Sequence, residues 1–319
     1  MGTVEAGVGA PQIGVSAEGA LRLGSQGGSS GKMAKMVLGI IGGSGFYDMD
    51  GLERVEEIDL NTPFGKPSGP YYRGNFGDAE AVFLARHDKG HRILPTEINF
   101  RANIHGMKQL GVECLVSVST AGSMKEHIKP GDLVVPNQFI DRTFKRPQTF
   151  FGDGVVAHVS LADPVCPLLA RDLATAARSV GAMIHEGGTY LCIEGPQFST
   201  RAESNLYRSW GVDVISMTAM QEARLAREAE LCYATLVLVT DYDCWHESVS
   251  AVDIGEILRV MSLNVATAQK AVALLARSLG ARGGGCTCAT ALKDAVITDR
   301  AMIPPKRRAE LELLIGKYL

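Results

Sequence analysis

Short apolar runs, several rich in β-branched residues, recur along this chain and alternate with stretches that carry apolar residues at three- and four-residue spacing. The runs are MVLGII (36–41), AVFLA (81–85), CLVSVS (114–119), DLVVP (132–136), DVISM (213–217) and ATLVLVT (234–240). Their length and punctuation predict buried strands. Between and after them lie PVCPLLARDLATAARSVG (164–181), RAESNLYRSWG (201–211), QEARLAREAELCYA (221–234) and the long segment 252–280, all with helical periodicity. Strands alternating with helices predict an α/β fold: three αβα layers around a central mixed, largely parallel sheet.

Residues 1–33 are rich in Gly, Ala and Ser and read as a flexible leader outside the fold. The expected organisation is that leader, one domain over 36–280, and a C-terminal extension over 281–319 with a Cys-x-Cys pair and a short helix. With 319 residues, 46% of them hydrophobic, the chain can bury one large core. Its net charge of -3 gives no electrostatic reason for nucleic acid or an anionic membrane as partner. No run approaches the roughly 18–20 apolar residues that span a bilayer. The chain is expected to be cytoplasmic, and its seven scattered cysteines read as thiols of a reducing compartment. Cys286-Thr-Cys288 follows GARGGG, so it reads as two thiols in a mobile tail; a metal or redox site would need further ligands. No metal is assigned.

In parallel sheets ligands gather at the carboxyl ends of strands. The first run ends in GIIGGSGF, where glycines let backbone amides approach an anion and Ser44 adds a hydroxyl. A dinucleotide fingerprint would require a third glycine where Asp48 stands. The second run ends in LARHDKGH, placing Arg86 and His87 just past a strand, and the third in SVSTAGS, with Ser119 and Thr120. A guanidinium fork, an imidazole and two hydroxyls are phosphate-binding chemistry. Singly, each residue also has a purely structural reading.

The last run closes on TDYDCWHE (240–247). Alternation along a strand puts Asp241 and Asp243 on one face and turns Tyr242 away. Two neighbouring, partly desolvated carboxylates favour keeping a proton on one of them. Such an acid can protonate a leaving base while its neighbour accepts a hydrogen bond from an amine. A capping or turn aspartate is the structural alternative.

GIIGGSGFYD, TPFGKPS, LARHDKGH, NFRANI, PGDLVVPNQFIDRT, RPQTFF, IEGPQFSTRAES, VISMTAMQEARLAREAELCYA and TDYDCWHE occur in order from Met36 to Gly280. Together they resemble the trimeric purine nucleoside phosphorylase family, in its methylthioadenosine-cleaving branch. The resemblance implies phosphorolysis of methylthioadenosine to adenine and 5-methylthioribose 1-phosphate, with inorganic phosphate as co-substrate and no cofactor. By position it implies phosphate contacts from Ser44, Arg86, His87, Ser119, Thr120 and Thr218. Substrate contacts fall on Phe198, Met217, Asp241, Tyr242 and Asp243, with Asp241 and Asp243 at N7 and the 6-amino group.

It further implies specificity roles for Ser199 and for Ile254, Ile257 and Leu258, one helical face that would cover a methylthio group. Assembly as a trimer or a pair of trimers is also implied, with His158 closing a neighbouring protomer's sugar pocket. The chain departs from the family pattern at Ser216, where relatives carry Asn, and at Gln221, where they carry Pro. A nicotinamide oxidoreductase is disfavoured by the broken glycine series. A nucleoside-binding protein without turnover would be expected to lack Asp241 or the phosphate residues.

Overall fold

The computed structural model describes residues 2, 36–43, 51–246, 254–279 and 285–319. The leader over 1–33, apart from residue 2, and Ser44 lie outside them. Among the described residues, eleven strands and six α-helices follow in the order β1 Val37–Gly42, β2 Glu53–Ile58, β3 Tyr71–Phe76, β4 Ala79–Ala85, α1 Phe100–Gln109, β5 Val112–Ser123, β6 Leu133–Val135, β7 Gln138–Arg142, α2 Pro167–Ser179, β8 Ile184–Glu186, β9 Thr189–Ile193, α3 Arg201–Ser209, β10 Val214–Ser216, α4 Ala219–Glu228, β11 Cys232–Tyr242, α5 Ile254–Leu279 and α6 Pro305–Ile315. All eleven strands join one sheet, whose main path runs β2-β3-β4-β1-β5-β10-β9-β7. The pairs β1–β4, β1–β5, β5–β11, β9–β10, β7–β9 and β6–β8 are parallel. Antiparallel pairing links β2–β3, β3–β4, β5–β10 and β6–β11, so the sheet is mixed and largely parallel as expected.

Side-chain alternation divides the core between the two faces of the sheet. Leu38 and Ile40 of β1, Cys114, Val116 and Val118 of β5, and Ala234, Leu236 and Leu238 of β11 pack with Leu169 and Leu173 of α2 and Val272 and Leu275 of α5. Ile41, Leu115 and Tyr233 point the other way, onto Ile104 of α1, Leu225 of α4 and Leu311 of α6. These are the two helical layers.

Residues 285–319 belong to the same core. Leu292, Ile303, Leu311, Leu314 and Ile315 pack with α1 and α4, and Cys288 packs with α2 and β11. The reading of Cys286 and Cys288 as thiols in a mobile tail is therefore corrected: Cys288 is buried, and both lie beside Cys166 and Cys232. No helix among the described residues is long and apolar enough to cross a membrane.

β5 is the strand on which the site depends. Its twelve residues pair with β1 on one side and β11 on the other, and its last residues also pair with β10. The sheet thus forks at the carboxyl end of β5, and a fork leaves a recess between strand ends.

Candidate active site

A cavity of about 300 Å³ occupies that recess, at the lower end of the usual range for small-molecule sites. Each strand end delivers its own chemistry: Gly43 follows β1, Arg86 and His87 follow β4, Ser119 to Gly122 belong to β5, Ser216 to Thr218 link β10 to α4, and Asp241 and Asp243 end β11. Phe198 and Ser199, after β9, form part of the rim, where Phe198 is 59% exposed. All of the predicted anion-binding residues within the described chain meet in this one cavity.

On one side of the cavity, Thr218 is the N-cap of α4, yet its hydroxyl caps nothing in the helix. The first amides of a ten-residue helix and a free hydroxyl make a natural anion seat. The buried Oγ of Ser119 likewise has no hydrogen-bond partner among the described residues. Thr120 contributes differently, because its carbonyl accepts a hydrogen bond from Ser216 Oγ at 2.6 Å. Ser216, the departure from the family pattern, is thereby tied to β5.

Arg86 is 1% exposed and most of its fork is already engaged. Nε donates to Glu222 Oε1 (2.6 Å), Nη2 to Glu222 Oε2 (3.2 Å) and to Ser117 Oγ (2.7 Å), and Nη1 to the Val118 carbonyl (3.1 Å). Burial works to lower its pKa, but the charge and hydrogen bonds of Glu222 outweigh that and hold it raised. The buried cation is thus locally neutralised. His87 places Nδ1 2.7 Å from the Ile93 carbonyl, which puts the proton of a neutral ring on Nδ1 and leaves Nε2 an acceptor. Burial, then the charge of Arg86, lowers its pKa to about 4.

At the other end the β5–β11 register slips between Val239 and Asp241, so Thr240 is the extra residue of a bulge. Bulges at strand ends re-aim side chains, and beyond this one Asp241 stands opposite Gly122. A methyl group on Gly122 would lie 3.0 Å from Asp241 Oδ1 and 3.3 Å from Asp243 Cβ, so the acid pair rests directly on bare backbone. Thr240 Oγ1 donates to Asp241 Oδ2 (2.8 Å) and Ser204 Oγ donates to Asp243 Oδ2 (2.5 Å). Burial raises the pKa of Asp241, with the charge of Asp243 adding, against the Thr240 hydrogen bond. Burial also raises that of Asp243, against the donor Ser204.

The floor is fixed from below. Gly195, at φ +70°, leaves room for Met217, whose sulfur would lie 2.5 Å from a Cβ there. Arg146 donates to the Met217 carbonyl (2.5 Å), to Gln221 Oε1 (2.9 Å) and to Glu194 Oε1 (2.9 Å). Gln221 is fully buried and donates to Thr143 Oγ1 (2.7 Å), so this departure serves the scaffold beneath the cavity.

Some expected residues stand elsewhere. Tyr242 does not line the cavity: its ring stacks on His246 and its hydroxyl donates to the Glu126 carbonyl, which corrects its assignment as a substrate contact. Strand alternation is the reason. Leu258 is 51% exposed and also lies outside the lining, while the side chains of Ile254 and Ile257 lie outside the described residues. His158 is exposed, with its amide bonded to the Ala295 carbonyl. Sequence reasoning missed Glu222, Ser204, Thr240, Arg146 and Gly122. Only Thr240, adjacent to Asp241, had a local signal.

Known proteins resemble this chain over most of its length. Residues 37–293 match the model of the phosphorylase superfamily. The S-methyl-5'-thioadenosine phosphorylase of Geobacter sulfurreducens is 54% identical over 89% of this chain and all of its own length. That of Koribacter versatilis is 53% identical over 88% of this chain and 96% of its own. Among solved structures, a methylthioadenosine phosphorylase from an Antarctic soil metagenomic library superposes with a TM-score of 0.84 at 43% identity, over 88% of this chain and 99% of its own. The methylthioadenosine phosphorylase of Schistosoma mansoni, crystallised with adenine, gives 0.75 at 34%, over 88% and 98%. The chain belongs to the phosphorylase superfamily and, within it, to the S-methyl-5'-thioadenosine phosphorylases.

Proposed function

We propose that this chain cleaves methylthioadenosine with inorganic phosphate, giving adenine and 5-methylthioribose 1-phosphate, and that Asp241 and Asp243 address the purine while the opposite end of the cavity holds phosphate. A phosphate oxygen attacks C1' as the C1'–N9 bond breaks, and the bonding electrons leave with the purine. A proton from the carboxyl pair goes to N7, and the other carboxylate accepts from the 6-amino group. Both contacts strengthen as charge develops, so they favour the transition state over the ground state. General acid assistance of this kind is typically worth about 100- to 10,000-fold.

The observation that carries the reading is the pairing, across one small cavity, of two carboxyls with raised pKa and groups able to donate to an anion, the Ser119 and Thr218 hydroxyls and the α4 amides, with Arg86 and Thr120 beside them. His87, neutral at pH 7, accepts a hydrogen bond from a phosphate hydroxyl through Nε2. Met217 lies beneath the ribose and Phe198 covers the base. The reaction needs no cofactor. We assign the enzyme to the cytoplasm as a homo-oligomer in which His158 approaches a neighbouring protomer's site.

Following free-base release from methylthioadenosine, adenosine and inosine, with and without phosphate, tests this. Cleavage is expected to require phosphate and to favour the 6-aminopurines. Release that ignores phosphate, or faster release from inosine, overturns it.

A further inference from the structure

Three distant stretches of the chain deliver four thiols to one point. Cys166 is the N-cap of α2, and its amide donates to the Tyr233 carbonyl (2.8 Å), which fixes it against the start of β11. Cys232 is the first residue of β11. Cys286 and Cys288 arrive from the C-terminal segment, where Cys288 opens a 3₁₀ turn over Cys288–Thr290. The four Sγ atoms all lie within 4.8 Å of one another, and Cys232 and Cys286 are 3.3 Å apart. None of the four is joined in a disulfide.

A tetrahedral zinc–thiolate centre has Zn–S bonds of about 2.3 Å and therefore S···S edges of about 3.8 Å. No edge of the observed cage exceeds that figure by more than about 1 Å, and the edge between Cys232 and Cys286 is 3.3 Å. A ligand set made wholly of thiolates selects zinc over the hard cations. We propose that Cys166, Cys232, Cys286 and Cys288 hold a structural zinc ion, in place of the expectation that the chain binds no metal.

The surroundings suit a centre with four thiolates and one divalent ion, which carries a net negative charge. Arg227 Nη1 lies 3.8 Å from Cys288 Sγ, and the N-terminus of α2 begins at Cys166, whose side chain caps nothing in the helix. Cys166 and Cys288 are buried and the other two half-buried, so the cage is shielded yet reachable. It stands at the opposite end of β11 from Asp241, about 30 Å away at roughly 3.3 Å per residue. Its role is therefore to staple the C-terminal segment to α2 and β11, not to take part in the reaction. Four mutually close thiols form one compact cluster and not two separated pairs, which favours an ion over two disulfides in a reducing compartment.

The test is metal analysis of the full-length protein, purified without chelator from zinc-replete cells, together with thiol titration in denaturant. About one zinc per chain is expected, with all seven cysteines titratable after chelation. Cys232→Ser and Cys286→Ser should each abolish stoichiometric zinc, and cobalt loaded into the wild type should give the spectrum of a tetrahedral thiolate. Chelation should lower Tm while leaving the KM for nucleoside unchanged. Zinc-free protein with every thiol free, or fewer titratable thiols because disulfides have formed, overturns the proposal. A stoichiometric ion other than zinc overturns the zinc assignment.

Discussion

Gly122→Ala places a methyl group under both carboxyls of the proposed acid pair. The new Cβ would lie 3.0 Å from Asp241 Oδ1, 3.3 Å from Asp243 Cβ and 3.4 Å from the Asp243 amide. Gly122 is held on both sides, by Ile215 of β10 and by Asp241 of β11, so its backbone has little room to retreat. Ordinary contact with Asp241 Oδ1 is restored only if that carboxylate moves by about 0.4 Å. Misplacement of a reacting group by about 1 Å costs about 100-fold in rate, so 0.4 Å corresponds to about 1 kcal/mol, or five- to ten-fold. Stability should change little, because removing a strand glycine gains about 0.5–1 kcal/mol and the crowding costs a similar amount. The assay is adenine release from methylthioadenosine under saturating phosphate and again under limiting phosphate, with a thermal melt of the same preparations. The expected result is a fall in kcat with the KM for phosphate and Tm unchanged. Wild-type kcat at unchanged Tm would show that the pair does not need its seat on Gly122. A raised KM for phosphate would place the damage at the wrong end of the cavity.

Asp241→Asn should lower turnover of methylthioadenosine by about 100- to 10,000-fold with a near-native melt; unchanged turnover would refute its role at the purine. Ser204→Ala removes the donor that opposes burial at Asp243, so the acid side of the pH–rate profile should move to higher pH and kcat fall several-fold; a fixed profile counts against the contact. Glu222→Gln leaves Arg86 buried without its counter-charge and should cost ~3 kcal/mol, read as a lower urea midpoint, with phosphate stabilising the variant more than the wild type. His87 is lowered from 6.5 to about 4, so it destabilises the fold as pH falls through that window. Glu228 is raised from 4.5 to about 7, so it destabilises the fold as pH rises through its own. The two slopes oppose between about pH 4.5 and 6.5, and His87→Gln should unmask a stability that falls with rising pH; equal slopes in variant and wild type would refute the assignment.

The layers of this fold are legible in the sequence wherever an element is buried by its own composition. β1, β4, β5 and β11 are apolar runs, and α2, α3 and α5 show helical periodicity, so their existence follows from residue type. β2 is hidden because its ERVEEI is almost wholly exposed, and a solvated edge strand needs no apolar face. α1 is hidden for the opposite reason: it buries Asn103 and His105 along with its apolar residues, and Asn103 is satisfied by Ser68, 35 positions away. The carboxyl pair was legible because strand alternation is local. Its donor Ser204 was not, since it lies 39 positions away on another element, and neither was Glu222, 136 positions from Arg86. A partner supplied by tertiary contact leaves no pattern in the sequence around the residue it serves.

Those unseen partners change what the proposed phosphate end can do. Read from the sequence, Arg86 and His87 offer a guanidinium fork and an imidazole to phosphate; were both charged, they would hold it tightly before and during reaction alike. In the folded chain Glu222 offsets the Arg86 charge, and burial keeps His87 neutral. What remains facing the anion is chiefly dipolar: the unpaired Ser119 hydroxyl, the uncommitted Thr218 hydroxyl and the amides of α4. Uniformly tight binding of a nucleophile deepens the ground state and adds nothing to kcat. Preoriented dipoles hold the anion in line without quenching its charge, so that charge stays available to the sugar carbon as positive charge grows there. Adding a fixed cation, as Ser119→Lys would, should therefore tighten phosphate binding and lower kcat together; a variant that tightened binding with kcat preserved would show that charge balance at this end is incidental.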